Sequence, residues 1–350
     1  MHTNNQKVLV ALSGGVDSSV CVYLLQQKGY EVAGIVLKMS PAHEQTVKDA
    51  QAVATQLGIQ LYIQDMTKQF EESVIEYFTH EYLQGRTPNP CIVCNPTVKF
   101  QALIEAADRY GYDYVATGHY ANLIHQDNKV LLARGTCKQR DQSYMLYRLG
   151  QRELSRLLFP LNQMEKTQVR EIAKQAQLPS ANKPDSQEIC FIPDNHYADY
   201  IESRTGCCPK GDFISPEGTV CGTHKGIIHY TVGQRKHLGI ALGRPVFVKE
   251  IDPIQNRIYL ANAGQEYYKK AIINQLSYPS GEPLSQPFEA YVKIRSVAPL
   301  AKAQIKPLEH ETAEVIFSQP QRAVAKGQSI VMYDQQEIVI GGGFITEVFA

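Results

Sequence analysis

The sequence predicts an α/β protein in which a doubly wound parallel sheet is followed by a small central domain and a C-terminal β-barrel. Three observations carry this. Short apolar runs alternate with amphipathic helical patterns through the first half, as a parallel sheet covered by helices requires. A Gly14-Gly15 turn joins the first apolar run to the first helix. Beyond Gly206 the pattern changes to short β-patterned stretches separated by turn residues. In chain order, residues 7–12 read as a strand, 17–27 as a helix, 31–37 as a strand and 45–57 as a helix. A strand at 60–64, helices at 68–83 and 99–110, and a strand at 114–117 ending in Gly118-His119 follow. Short helices are predicted at 141–149, 153–158 and 165–177, then a Pro-containing loop at 179–187 and a helix at 197–204. The domains are expected at 1–205, 206–270 and 271–350. A ligand should sit beyond the carboxyl ends of the parallel strands.

The chain of 350 residues is 43% hydrophobic and 20% charged, with a mean hydropathy of −0.28, which describes a globular protein. No apolar run approaches the ~20 residues that cross a bilayer, and Met1-His2-Thr3-Asn4-Asn5-Gln6 has no signal-peptide character. A cytoplasmic protein without membrane contact is expected. Lys plus Arg and Asp plus Glu number 35 each, so the net charge of +0 argues against nucleic-acid binding by bulk charge. The charges are nevertheless segregated. From Arg134 to Lys183, 10 cations face 4 carboxylates, and Lys225, Arg235, Lys236, Arg244 and Lys249 lie in a stretch, 222–249, with no carboxylate. The 8 cysteines are scattered through the chain, which in a reducing compartment makes them packing residues, metal ligands or reactive thiols.

The most informative string is Ser13-Gly14-Gly15-Val16-Asp17-Ser18-Ser19. Paired glycines let the backbone approach an anion, and the amides opening the next helix point at it with the helix dipole behind them. Asp17 is an expected Mg²⁺ contact, because a carboxylate beside phosphate needs a cation between them. The lysine of G-x-x-x-x-G-K-[ST] is missing, and so is the G-x-G-x-x-G spacing. Cys91-Ile92-Val93-Cys94 follows a stiff loop, Gly85 to Pro90. Cys94 is expected at a helix N-terminus with Lys99 nearby, an environment that lowers a thiol pKa. Cys190 lies between a polar loop and an apolar pair. Cys207, Cys208 and Cys221, with His224 and His229, have no zinc-finger spacing and read as packing residues.

Ser13 to Ser18 resembles the SGGxDS loop of the PP-loop ATP pyrophosphatases. With GRTPNPCIVCNPTVKF (85–100), ATGHY (116–120), RDQSYML (140–146), residues 185–192, YTVGQRKHLG (230–239) and 341–344, nearly the whole chain is similar to the tRNA-uridine 2-sulfurtransferase family. The resemblance implies ATP-dependent thiolation of carbon 2 of the wobble uridine in tRNAs for Lys, Glu and Gln. It implies that Ala11, Leu12, Ser13, Gly14, Gly15, Val16, Asp17 and Ser18, with Leu37 and Gly118, bind ATP. Cys190 looks like the persulfide carrier and Cys94 like the nucleophile, ending in a Cys94–Cys190 disulfide. Asn89, Pro90 and Cys91 match positions at the target base, and His119, Arg140, Asp141, Gln142, Arg235, Lys236, Arg295, Ser296 and Gln328 match tRNA-facing positions. The implied partners are tRNA and a sulfur donor such as a cysteine desulfurase or a sulfur relay carrier. The chain departs from the family pattern at Met39 to His43, and at Cys91, where many members carry Asp. That thiol opens an alternative in which Cys91, Cys94 and Cys190 hold an iron-sulfur cluster. An amide-forming PP-loop synthetase is a further alternative.

Overall fold

A computed structural model describes residues 6–184, 189–192 and 196–350. Strand β1 (Lys7–Ala11) carries Val8, Leu9 and Val10 fully buried, the continuous apolar run of a strand covered on both faces. After it come helix α1 (Val16–Gln27), β2 (Glu31–Lys38), α2 (Glu44–Leu57) and β3 (Leu61–Asp65). Gly58, at φ 63°, ends α2 in the left-handed conformation that glycine adopts without strain. One helical winding then comprises α3 (Thr67–Phe70), a π turn (Glu71–Ile75) and α4 (Glu76–Leu83). A second comprises α5 (Pro90–Cys94), a π turn (Asn95–Lys99) and α6 (Phe100–Tyr110). Strand β4 (Tyr114–Ala116), the hairpin β5 (Ala121–Gln126) and β6 (Lys129–Arg134), α7 (Gln151–Leu154), β7 (Leu157–Leu158), α8 (Lys166–Gln175) and α9 (Tyr197–Thr205) complete the first half.

The first sheet is parallel, in the order β3-β2-β1-β4-β7. Its winding reverses between β1 and β4, and the loops leaving those two strands define the crevice where ligands bind such sheets. The middle of the chain forms a four-stranded sheet in the order β10-β11-β8-β9 from β8 (Gly211–Ile214), β9 (Val220–His224), β10 (Val246–Asp252) and β11 (Arg257–Asn262). The strands β12 (Tyr267–Ser277), β13 (Phe288–Lys293), β14 (Ala301–Pro307), β15 (Ala313–Arg322), β16 (Ser329–Tyr333) and β17 (Val339–Phe349) close into a barrel in the order β12-β15-β14-β13-β16-β17. The expected α/β fold with a C-terminal barrel is therefore present. Among the described residues no helix is long and apolar enough to cross a membrane.

Two expectations are corrected. The predicted helices at 141–149 and 153–158 are replaced by a single 3-10 turn (Ser143–Met145), the short α7, and strand β7 at the sheet edge. Tyr144, Leu146, Tyr147 and Leu149 are all buried, because this segment is the seam between the sheet domain and the barrel rather than a helix with one wet face. The Tyr144 hydroxyl donates to the Ser329 carbonyl at 2.8 Å, and Tyr147 and Ser329 share a hydroxyl contact at 3.1 Å. The helix expected from residue 99 begins instead at Pro90, capped by Asn89, whose Oδ1 accepts from the Cys91 amide at 3.2 Å. Proline at the first helical position costs no hydrogen bond there. The barrel also holds the segment leading into this helix. The Thr87 amide donates to the Lys326 carbonyl at 2.9 Å, and Gln328 Nε2 donates to the Thr87 carbonyl at 2.8 Å.

Candidate active site

The loop after β1 is built for close backbone approach. Gly14 sits at φ +67°, and a Cβ there would lie 2.4 Å from Asp49 Cβ, so no side chain fits. Gly15 caps α1 without a side-chain acceptor, leaving the first-turn amides available to an anion. The Ser13 and Ser18 hydroxyls touch at 3.1 Å, and Ser18 and Ser19 donate to the Gly15 carbonyl at 3.1 and 2.8 Å. Leu12 and Val16 turn their side chains into the core, so only their backbone faces the crevice, and Ala11 is half-buried at the end of β1. Gly118, leaving β4, meets this loop across the switch point, where a Cβ on it would lie 2.9 Å from Asp17 Cβ. These glycine cradles and free amides fit a nucleotide phosphate chain.

Asp17 is not an open metal contact. Lys166 Nζ donates to both of its carboxylate oxygens at 2.8 Å, and the Tyr120 hydroxyl donates to Oδ1 at 2.8 Å. The cation beside the carboxylate is thus an ammonium, and Mg²⁺ would have to displace it. On the other side of the loop, Lys183 pairs with Asp49 and donates to the Gly14 carbonyl at 3.3 Å. Burial opposes ionisation of Asp49, but the hydrogen bonds from Lys183 and Gln45 outweigh it and hold the carboxyl below its usual value. Sequence reasoning missed Lys166, Lys183 and Tyr120. The only signal was indirect, a phosphate loop without its own lysine.

The cysteine helix packs beside the exit of β2. Cys94 is 6% exposed, in the core that also holds Leu37 and Met39 beyond β2, with its sulfur 4.0 Å from Met39 Sδ. Leu37 therefore presents no free side chain. Cys91 and Cys190 are exposed. Phe191, next to Cys190, is buried against Phe70 and Phe78, with ring centroids 5.5 and 5.4 Å away. Residues 185–188 of the string leading to Cys190 lie outside the described residues. Lys99 acts electrostatically on all three thiols.

The expected lowering of the Cys94 pKa is overturned. Burial pushes its thiol up to about 11, while Lys99 opposes the rise. Cys94 ends a short helix that continues into the next, so it is Cys91 that lies in the first turn. Desolvation outweighs the nearby cation. Among the described residues no three Cys, His, Asp or Glu side chains gather as a metal-ligand set, so Cys91, Cys94 and Cys190 do not fit a cluster as arranged.

His119 joins the two regions. It follows Gly118, shares a 2.7 Å contact between Nδ1 and Thr117 Oγ1, and packs on Phe100 at 5.8 Å. Burial, helped by Lys99, lowers its pKa to about 3, so the imidazole is neutral. Gln142 Oε1 accepts from the Tyr120 amide at 3.0 Å, which steadies the tyrosine that holds Asp17.

The residues expected to face RNA divide into two groups. Asn89 and Pro90 are half-buried at the start of the cysteine helix, and Arg140, Arg235 and Lys236 are exposed. Asp141 is corrected. Its carboxylate is fully enclosed, accepting from the Gly135 and Ser143 amides and facing Arg134 at 3.1 Å and Lys293 at 3.8 Å, where it ties the barrel to the sheet domain. Arg295 donates to the Val232 and Ala323 carbonyls and Gln328 to Thr87, so both act within the protein, and Ser296 is half-buried beside them. His224 spends both ring nitrogens on backbone, at Asn256 and Gly226, and His229 pairs with Glu202.

Comparison with known proteins places these features in context. Residues 6–194 match the family model described as tRNA methyl transferase HUP domain, 198–262 the tRNA methyl transferase PRC-barrel domain, and 268–345 the aminomethyltransferase beta-barrel domain. A protein of Clostridium acetobutylicum is 42% identical over 97% of this chain and 99% of its own length. One of Acetivibrio thermocellus is 45% identical over 98% of this chain and 99% of its own. Both bear the name tRNA-specific 2-thiouridylase MnmA. Among solved structures, an NMN synthetase from Francisella tularensis covers 52% of this chain and 67% of its own at 19% identity and a TM-score of 0.34.

Proposed function

From the premise that this chain belongs to the tRNA-specific 2-thiouridylase family, we propose that it uses ATP to replace the carbonyl oxygen at carbon 2 of the wobble uridine in tRNAs for Lys, Glu and Gln with sulfur. The observation that carries this is the adjacency of two sites. A glycine cradle for phosphate lies at the β1/β4 switch point, and Cys94 packs against Met39 just beyond β2 of the same sheet, with Cys91 on the same short helix.

The chemistry divides accordingly. The loop from Ala11 to Ser18, with Gly118 and the backbone at Leu37, holds ATP while the uridine oxygen attacks the α-phosphate and pyrophosphate leaves. Mg²⁺ would screen the phosphate charge near Asp17. The oxygen then leaves carbon 2 as AMP, a far better leaving group. Cys190 carries the incoming sulfur as a persulfide, whose terminal sulfur bonds to carbon 2 as the AMP bond breaks. The Cys94 thiolate attacks the Cys190 sulfur of that adduct, so the transferred sulfur departs as the thiocarbonyl and a Cys94–Cys190 disulfide forms. The persulfide's outer sulfur is reduced as the two cysteines are oxidised, and an external thiol reopens the bridge. Cys91, in the first helical turn, stands with Asn89 and Pro90 at the base.

In this reading residues 1–205 hold the catalytic machinery, and 206–270 and 271–350 orient tRNA. Arg140, Arg235 and Lys236 meet phosphates, and His119, Gln142, Arg295, Ser296 and Gln328 shape the surface behind them. Asp141 acts by holding the seam. A cysteine desulfurase or a sulfur relay carrier loads Cys190, in the cytoplasm. Flipping a base from an anticodon loop is cheap because the loop is already single-stranded. The test is mass spectrometry of tRNA nucleosides after incubation with ATP, Mg²⁺, cysteine with a cysteine desulfurase as persulfide source, a thiol reductant and unmodified tRNA. Formation of 2-thiouridine with AMP is expected. A methylated base, or 2-thiouridine formation that tolerates Ser at both Cys94 and Cys190, would refute it.

A further inference from the structure

The phosphate loop lacks a lysine of its own, and the fold brings two to it. Lys166 is 149 positions from Asp17 and Lys183 is 169 from Gly14, yet their ammonium groups reach the two sides of one turn. Each rests on a carboxylate, Lys166 on Asp17 and Lys183 on Asp49. Two cations and two anions leave these four groups neutral together, which suits a loop that must receive a highly charged ligand.

Each carboxylate also has a second, neutral donor. The Tyr120 hydroxyl donates to Asp17 at 2.8 Å, and Gln45 Nε2 donates to Asp49 at 2.9 Å. When the lysines turn away, neither carboxylate is left without a hydrogen bond, which removes the main penalty of breaking such a pair. Lys183 already contacts the Gly14 carbonyl, inside the loop itself. A lysine serving only to neutralise Asp49 has no need of that contact.

We propose that Lys166 and Lys183 form a two-sided clamp on the β- and γ-phosphates of the nucleotide, each exchanging its carboxylate for phosphate oxygens and supplying the charge that the loop sequence omits. The clamp rests on the ATP-dependent reading above. It assigns affinity for the pyrophosphate portion to these two residues and leaves the nucleoside and α-phosphate to the backbone cradle. AMP and ATP should therefore respond differently to their loss.

The experiment titrates MgATP and AMP into the full-length wild-type protein, Lys166→Met, Lys183→Met, and the corresponding Arg variants, by calorimetry. Each Met change should weaken ATP about tenfold while AMP stays within about twofold. Arg should retain most of the ATP preference. An unchanged ratio of ATP to AMP affinity in both Met variants overturns the clamp. A second measurement needs no variant. In wild-type protein MgATP, but not AMP, should protect Lys166 and Lys183 from acetylation by acetic anhydride, read by peptide mass spectrometry, and absence of protection at both lysines overturns the clamp. Wild-type protein that binds neither nucleotide refutes the ATP reading itself, an outcome distinct from failure of the clamp alone.

Discussion

The nucleotide loop and the cysteine helix share one edge of one sheet, yet they handle charge in opposite ways. Around Gly14 the charges are kept and compensated, acid against ammonium, with neutral donors in reserve. Around Cys94 charge is suppressed. Apolar neighbours from the core raise the Cys94 thiol, and Lys99 acts against that. The difference follows from the chemistry each region must perform. A phosphate site meets an anion at the outset and needs its cations in place. A thiol that ionised early would spend itself on any passing electrophile, so suppression of the thiolate protects it until the substrate is present.

If the regions are separable in this way, they can be broken separately. The largest effect is expected for Cys94→Ser and for Cys190→Ser. Each should lower 2-thiouridine formation by on the order of a thousandfold or more, while MgATP binding measured by calorimetry stays within about twofold. Loss of nucleotide binding in either variant would show that the two regions form one unit. The converse break is Gly14→Ala. A methyl group 2.4 Å from Asp49 Cβ, on a backbone at φ +67°, forces the loop open. MgATP affinity should fall about a hundredfold, and alkylation of Cys94 and Cys190 by iodoacetamide should be unchanged.

How much of this was legible depended on how local each feature is. Ser13 to Ser18 is a contiguous string whose shape is set by its own glycines, and β1, α1 and β2 follow from simple periodicity, so the loop and its surroundings were readable. Asn89-Pro90 was missed: an Asn cap followed by Pro at the first helical position is a start signal, but the run of prolines led the segment to be read as a loop. The partners of Asp17 were not readable. Tyr120 and Lys166 lie 103 and 149 positions away, and only the packing of α8 against α1 brings the lysine in. Nor was the direction of the thiol shifts. A lysine five residues on from Cys94 is visible in the chain, whereas the burial that overrides it belongs to the assembled core. Asp141 shows the same limit. A charged residue in a basic stretch suggests an RNA contact, and its enclosure by Arg134 and Lys293 depends on a barrel strand about 150 positions later.

Lys99 sharpens the contrast on the thiol side. With burial raising Cys94 to about 11, its alkylation rate should climb roughly tenfold per pH unit from 7 to 10 without a plateau. Removing the one opposing cation in Lys99→Met should shift that profile further up, by about one unit, so the rate at a fixed pH of 8 falls about tenfold. Lys99→Arg should restore it. Identical profiles in all three proteins, each folded by circular dichroism, would mean that burial alone sets the thiols.

The smallest effect tests the border between the regions. His119 touches the nucleotide side through Gly118 and the thiol side through Phe100, and its imidazole has a pKa of about 3 against an ordinary value of 6.5. A histidine whose pKa is lowered by folding contributes stability that is complete above 6.5 and is lost as the pH falls towards 3, because the unfolded chain takes up the proton first. Between pH 7.5 and pH 6 this single group should cost about 0.8 kcal/mol of unfolding free energy. His43 and His224 are also lowered by burial and add to the total, so the measurement is the difference between wild type and His119→Asn in urea unfolding at the two pH values. The variant keeps an acceptor for Thr117 and should lose about 0.8 kcal/mol less than wild type over that interval. An equal loss in both proteins would place His119 with the solvated, charge-bearing loop and move the border to the far side of β4.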